Sequence, residues 1–364
     1  MRDVELNGNR HKMGNRLYNL LMGLAPVVLA LALTTLALLA VRASPGEAYA
    51  NMLRGAFGST GRVADVLVAW VPLLLCAAGL LITFTAGLWN IGIEGQIVFG
   101  AIFTTWAART LDLPTPLFIP ILLLMGALGG GLWGLVAGAL KTYGRVHEIF
   151  AGLGLNFVAM AFTNYLILDP WKRPGIASTS GTELFPKAAW LPTFGGAFAL
   201  GPVEVALAVV VTVLVYLALR GTRWGLELKA IGKNIRSAFL MGVPTERRML
   251  SAFMLCGALA GLAGTTQSIG VYHRLTPAIS SGYGYLAILV VMLAGYRAVW
   301  VAPVAFFFAA ANKGSLQLPL QMQLDSALGG VLQGALVLFV VLMQGVRGRV
   351  AGRQVGKEQV GKEQ

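Results

Sequence analysis

The chain has 364 residues, 57% of them hydrophobic and 12% charged, with a formal net charge of +13. Soluble domains carry about 25% charged residues, so this composition excludes an ordinary soluble domain and reads as an all-α polytopic membrane protein. The basic residues are spread between apolar runs, which points to membrane topology and anionic lipid and excludes nucleic acid as a partner.

The two cysteines, Cys76 and Cys256, both lie inside apolar runs, which argues against a disulfide framework. The three histidines, His11, His147 and His273, fall in separate regions with no metal-ligand spacing. In chain order, a basic tail (residues 1–19) leads into the apolar run Leu20–Val41. Small residues at Ala40–Ala43 are compatible with a cleavage site. The run is nevertheless about 20 residues, long for a signal core and right for a span, so it is taken as the first transmembrane helix. A polar stretch from Arg42 to Asp65 follows, with room for a short surface helix.

Nine further spans are expected: Val66–Leu88, Ile91–Ala108, Leu117–Leu140, Ile149–Leu168, Val203–Leu219, Met249–Ile269, Gly284–Ala294, Ala298–Leu316 and Ser326–Met343. The membrane region thus runs over residues 20–345, and a basic tail closes the chain at 346–364. Alternation of ten spans puts both termini in the cytoplasm. Nineteen basic residues then fall on inner segments and eight on outer ones, the asymmetry that the positive-inside rule requires. Spans two to five and seven to ten form two four-span units of opposite orientation, a candidate inverted repeat. The third span, glycine-rich at its inner end, would correspond to the eighth, glycine-rich at its outer end.

The stretch Ala86–Gly100 (AGLWNIGIEGQIVFG) places Asn90, Glu94 and Gln96 among four glycines within apolar sequence. A carboxylate at the bilayer centre costs about 2.5–3.5 kcal/mol even on the lenient insertion scale, so Glu94 should face protein, water or an interface. The residues leave two readings open: a helix that breaks beside a polar transport path, or a cytoplasmic turn with Glu94 solvated. Asn156 is a further polar residue in the fifth span, near the path in the first reading. The tail sequence GKEQVGK, from Gly356 to Lys362, fits a phosphate-loop spacing but lacks the Ser or Thr, the strand and the helix that such a loop needs. No ATPase site or other enzyme motif is expected in this chain.

The segment 220–248 is the longest charged stretch between spans, with seven basic residues. Its sequence GTRWGLELKAIGKNIRSAFLMGV reads as a short amphipathic helix between turns, interrupted at Gly232 and Asn234. It suits either a lipid-facing interfacial helix or a docking surface for a cytoplasmic partner.

The stretch LWNIGIEGQIVFGA resembles the signature of permease subunits of bacterial ABC importers, closest to the nucleoside and simple-sugar type, which is related to ribose and branched-chain amino acid permeases. The 220–248 loop is similar to that family's coupling region through Thr222, Gly225, Ala230, Gly232, Asn234 and Gly242, with Arg236 beside them. A third block, KTYGRVHEIFAGLGLNFVA, departs from the family's usual NEVISTLMLNYIA, with His147 in place of Asn and Phe150, Ala151 and Gly152 in place of polar or branched residues. The resemblance covers about Val66 to Met343.

It implies a plasma-membrane permease for nucleosides, with a simple sugar as the alternative substrate. It also implies a second permease subunit, identical or related, two cytoplasmic ABC ATPases docked on the coupling loops, and an extracytoplasmic substrate-binding lipoprotein. ATP would be used by the ATPase, with no cofactor in this chain. A self-contained ion-coupled carrier is the rival from another class. It needs paired intramembrane carboxylates, and only Glu94 and Glu148 offer themselves.

Overall fold

The computed structural model describes residues 25, 27–175, 180–193, 201–325, 327–340 and 342. Both expected tails, 1–19 and 346–364, lie outside the described residues. Among the described residues the secondary structure is helical, with no strand. Two compact units form, one within Met1–Gly58 and Ala311–Gln364, the other within Ser59–Ala310.

In the first unit, α1 (Val27–Ala40) and α2 (Pro45–Phe57) meet at a bend of 113°. The bend passes through Arg42, whose φ is 57°, and α2 supplies the helix for which the sequence left room. Leu38, Ala48 and Met52 pack with Leu318 of α13 (Gln317–Met322) and Leu332 of α14 (Ala327–Val340).

The second unit contains α3 (Thr60–Thr85), α4 (Ile93–Thr110), α5 (Thr115–Thr142), α6 (Glu148–Leu168) and α7 (Pro202–Gly221). They are followed by α8 (Arg223–Lys233), α9 (Ile235–Leu240), α10 (Thr245–Thr265) and α11 (Tyr283–Leu293), while α12 (Ala298–Ser315) runs from this unit into the other. The helix α3 is apolar almost throughout and is buried accordingly: 83% of its most apolar window is inside, against 22% for α7. A run that is apolar on all sides belongs at the centre of a bundle or against lipid, and these two helices take one place each.

The close packing of α5 on α10 explains why glycine is so frequent. A Cβ at Gly130 would lie 2.2 Å from the Gly257 carbonyl oxygen, and one at Gly261 would lie 2.0 Å from that of Gly126. Lipid tails are as apolar as Leu, so helices in a membrane associate through such backbone-to-backbone fit rather than through the hydrophobic effect. Beyond α10 the chain continues as a π-helical turn, Thr266–Val271.

Among the described residues, six helices are long and apolar enough to cross a membrane, or seven if α1 and α2 make one bent span. Each of the ten expected segments overlaps a helix, and the difference from ten falls on α4, α11 and α14. The helix α4 carries Glu94 in its first turn, and α11 and α14 are shorter apolar helices.

Candidate functional site

The break between α3 and α4 is built by residues that cannot continue a helix. Gly87 adopts φ +71°, a conformation that glycine enters without steric cost. The N–H of Leu88 returns to the Thr83 carbonyl oxygen at 2.9 Å. Asn90 and Gln96 then face each other across the start of α4. The Asn90 amide donates to Gln96 Oε1 at 2.9 Å, and Gln96 donates back to Asn90 Oδ1 at 3.1 Å. Asn90 also lies 3.1 Å from Cys256 Sγ of α10. Both amides are fully buried, and buried amides need such partners.

Glu94 is buried and reaches the start of α11. Its Oε1 accepts from the Tyr285 N–H at 3.1 Å, with further hydrogen bonds from the Gly284 N–H and the Ser280 side chain. The helix α11 has no side-chain cap of its own, since Gly282 occupies its N-cap position. The carboxylate from α4 therefore satisfies N–H groups that every helix start leaves open, and its charge suits the positive end of the helix dipole. Asn156 of α6 completes the junction. Its Oδ1 accepts from the Gly95 N–H at 2.8 Å, and its Nδ2 donates to the Ile91 carbonyl at 3.0 Å and to the Tyr285 hydroxyl at 3.2 Å.

The four polar residues singled out in the sequence are thus brought together, with their hydrogen-bonding capacity directed into the protein. Their partners Cys256, Ser280 and Tyr285 were not singled out. The signal for Tyr285 was present, because it follows Gly282 and Gly284 at the start of an apolar run.

The second site candidate is the segment 220–248, which folds as α8 and α9 with the interruption at Asn234. The Thr222 hydroxyl accepts from the Gly225 N–H at 3.1 Å and caps α8, and Asn234 Oδ1 accepts from the Ser237 N–H at 2.9 Å and caps α9. Gly225 packs so closely under α7 that a Cβ would lie 2.5 Å from the Ala218 carbonyl oxygen. Gly232 does the same on α3: a Cβ there would lie 2.3 Å from the Thr85 carbonyl oxygen. Thus α8 rests on the turn that leads into the α3–α4 break. Glu227, absent from the sequence candidates, pins α8 to α10. It takes Arg223 Nε at 3.0 Å and also Arg248 Nε. Burial alone pushes its carboxyl pKa up, but the two guanidiniums outweigh this and hold it below the usual carboxylate range. Arg236 is exposed, as are the apolar side chains of Leu226, Phe239, Leu240 and Met241.

Comparison with known proteins gives the family. A glucose ABC transporter permease protein of Haloferax volcanii, TsgB13, is 31% identical over 86% of this chain and 85% of its own length. The guanosine ABC transporter permease protein NupP of Bacillus subtilis is 27% identical over 92% of this chain and 97% of its own. The nucleoside ABC transporter permease protein NupB of Lactococcus lactis is 25% identical over 83% and 85%. The family model described as branched-chain amino acid transport system, permease component, matches residues 62–341. The chain belongs to this family and is a membrane-embedded permease subunit of an ABC transporter.

Proposed function

We propose that the chain is the permease of an ATP-driven importer for nucleosides, that it forms the substrate path, and that it performs no covalent chemistry itself. The observation that carries the substrate class is that two of the three relatives above, NupP and NupB, are named for guanosine and nucleosides. A simple sugar is the second reading, favoured by the glucose name of TsgB13. In this proposal ten helices cross or enter the membrane between cytoplasmic termini, residues 20–345 form one permease domain, and α4 and α11 are the paired broken helices of an inverted repeat. The contact of Glu94 with the first turn of α11 supports that pairing.

The remaining parts follow the same reading. Asn90, Glu94, Gln96 and Asn156 support the path by holding the two helix starts. Thr222, Gly225, Gly232, Asn234 and Arg236 belong to the segment on which a cytoplasmic ATPase docks. ATP is consumed by that partner. A second permease, identical or related, completes the membrane part, and an extracytoplasmic lipoprotein delivers substrate. An ion-coupled carrier is less well supported, because Glu94 is engaged as a cap and Glu148 pairs with Lys141 at 2.5 Å.

The test is uptake of labelled guanosine and labelled glucose by cells that express the complete importer in a host lacking both activities. Guanosine uptake that fails when the ATPase is inactivated is expected. Uptake of glucose without guanosine would overturn the nucleoside assignment.

A further inference from the structure

The polar network at the α4–α11 junction turns inward, yet it holds one side chain whose ring remains uncovered. Tyr285 is fixed at two points. Its backbone N–H is bonded to Glu94 and its hydroxyl accepts from Asn156. Its side chain is nevertheless 46% exposed. Phe157, the residue after Asn156 on α6, is 71% exposed. A ring held by its hydroxyl and its own backbone cannot swing away, so it presents a preset flat surface.

The depth of this ring separates it from an ordinary lipid-facing aromatic. Tyr285 lies about 12 Å along α11 from the helix end at Leu293, at a rise of 1.5 Å per residue. In the arrangement proposed above, where α11 starts inside the hydrocarbon layer, this ring lies away from the two interfaces at which lipid-facing Tyr residues gather. On α7, the least buried of the long apolar helices, the exposed large residues are the aliphatic Val203, Val209, Val210, Val213, Leu214 and Leu217.

We infer that Tyr285 lines the substrate path and is a specificity-determining residue, its ring stacking on the heteroaromatic base of a nucleoside. This rests on the nucleoside reading above. A tyrosine ring has an apolar face for a base and a polar tip for its own anchoring, and stacking on an aromatic side chain accepts any base because each has a π-face. Glu94 and Asn156 then act as positioning groups for the ring rather than as direct contacts of the substrate.

The test uses the complete importer with Tyr285→Cys in this chain, treated with a water-soluble methanethiosulfonate reagent, and Val213→Cys as the lipid-facing control. Thiol reagents of this kind need a thiolate in water. The expected result is modification at position 285 and not at 213, loss of guanosine uptake on modification, and slower modification when guanosine is present during turnover. In parallel, Tyr285→Ala should lower guanosine uptake about tenfold or more at equal membrane level, the size of a lost base stack, while Tyr285→Phe, which keeps the ring and loses its anchor to Asn156, should fall between Tyr285→Ala and the parent chain. The alanine variant retains the backbone N–H that Glu94 binds, so the cap survives.

Failure of position 285 to react, or reaction that guanosine does not slow, overturns the inference. An importer that carries glucose and not guanosine sinks the nucleoside reading separately. In that event protection of the thiol by glucose keeps Tyr285 on the path without a base partner, and lack of protection removes it.

Discussion

A single carboxylate, Glu94, decides how the centre of this permease is held. Its oxygens take the place of the capping side chain that Gly282 lacks, and they do so from a different helix. Leaving a buried N–H without a partner costs about 1–3 kcal/mol, so Glu94→Ala should lower the thermal stability of the detergent-purified protein by several degrees. Glu94→Gln keeps an acceptor oxygen and should lie between the two. Equal melting of Glu94→Ala and the parent chain would show that α11 does not depend on this cap.

Glu227 offers a second residue-scale prediction with a defined sign. Its folded pKa lies below its unfolded value, so near that unfolded value the unfolded chain binds more protons and stability rises with pH. The contribution is present above about pH 4.3, the ordinary Glu value, and is lost as pH falls through the lower folded value. Unfolding measured from neutral pH to well below pH 4 should show this loss in the parent chain and a smaller one in Glu227→Gln. An identical acid dependence of both would remove the Arg223–Glu227–Arg248 group from the account.

Among the elements, α5 and α10 depend on fit more than on any one contact. Adding a methyl group at Gly261 places it 2.0 Å from the Gly126 carbonyl oxygen, and backbone cannot yield as a flexible side chain would. Overpacking costs about 1–3 kcal/mol or more, so Gly261→Ala should sharply reduce the yield of monodisperse protein. Gly154 in α6 has nothing within 4 Å of the corresponding position, and Gly154→Ala should fold normally. Size-exclusion profiles of the two variants at matched expression decide the matter, and similar profiles would refute the packing argument.

The same elements show what could be read from sequence. The break before α4 and the split at Asn234 were legible because glycine and polar residues interrupt apolar periodicity locally. The contacts of Cys256 with Asn90, of Tyr285 with Glu94 and of Arg248 with Glu227 were not. They join segments far apart in the chain, and nothing in a local pattern encodes the partner. Glu227 was passed over because, on an amphipathic helix, a carboxylate among basic residues looks like part of a solvated face.

At the scale of the whole second unit, these contacts form a continuous mechanical route. Gly232 of α8 touches the turn at Thr85–Gly87, that turn leads to Asn90 and Glu94, and Glu94 holds the start of α11. A rigid push on α8 would reach the starts of both α4 and α11 without passing through a flexible loop. A bulky residue at Gly232 is a poor probe of docking, since it would collide with Thr85 and disturb the route itself. The exposed face is a cleaner target. Phe239 is 65% exposed, and an exposed aromatic is the kind of anchor that fills a pocket on a protein partner. Phe239→Asp should therefore reduce co-purification of the ATPase about tenfold, a loss typical of a buried aromatic anchor, while the melting temperature stays within a degree or two. Gly232→Ala should give the opposite split, with the ATPase still bound and transport impaired. The orientation is checked on the same preparation in intact cells, where an impermeant maleimide should label Leu184→Cys and spare Ser237→Cys. Labelling at Ser237 would place α8 and α9 outside and exclude a cytoplasmic partner, and normal ATPase binding by Phe239→Asp would move the docking surface off α9.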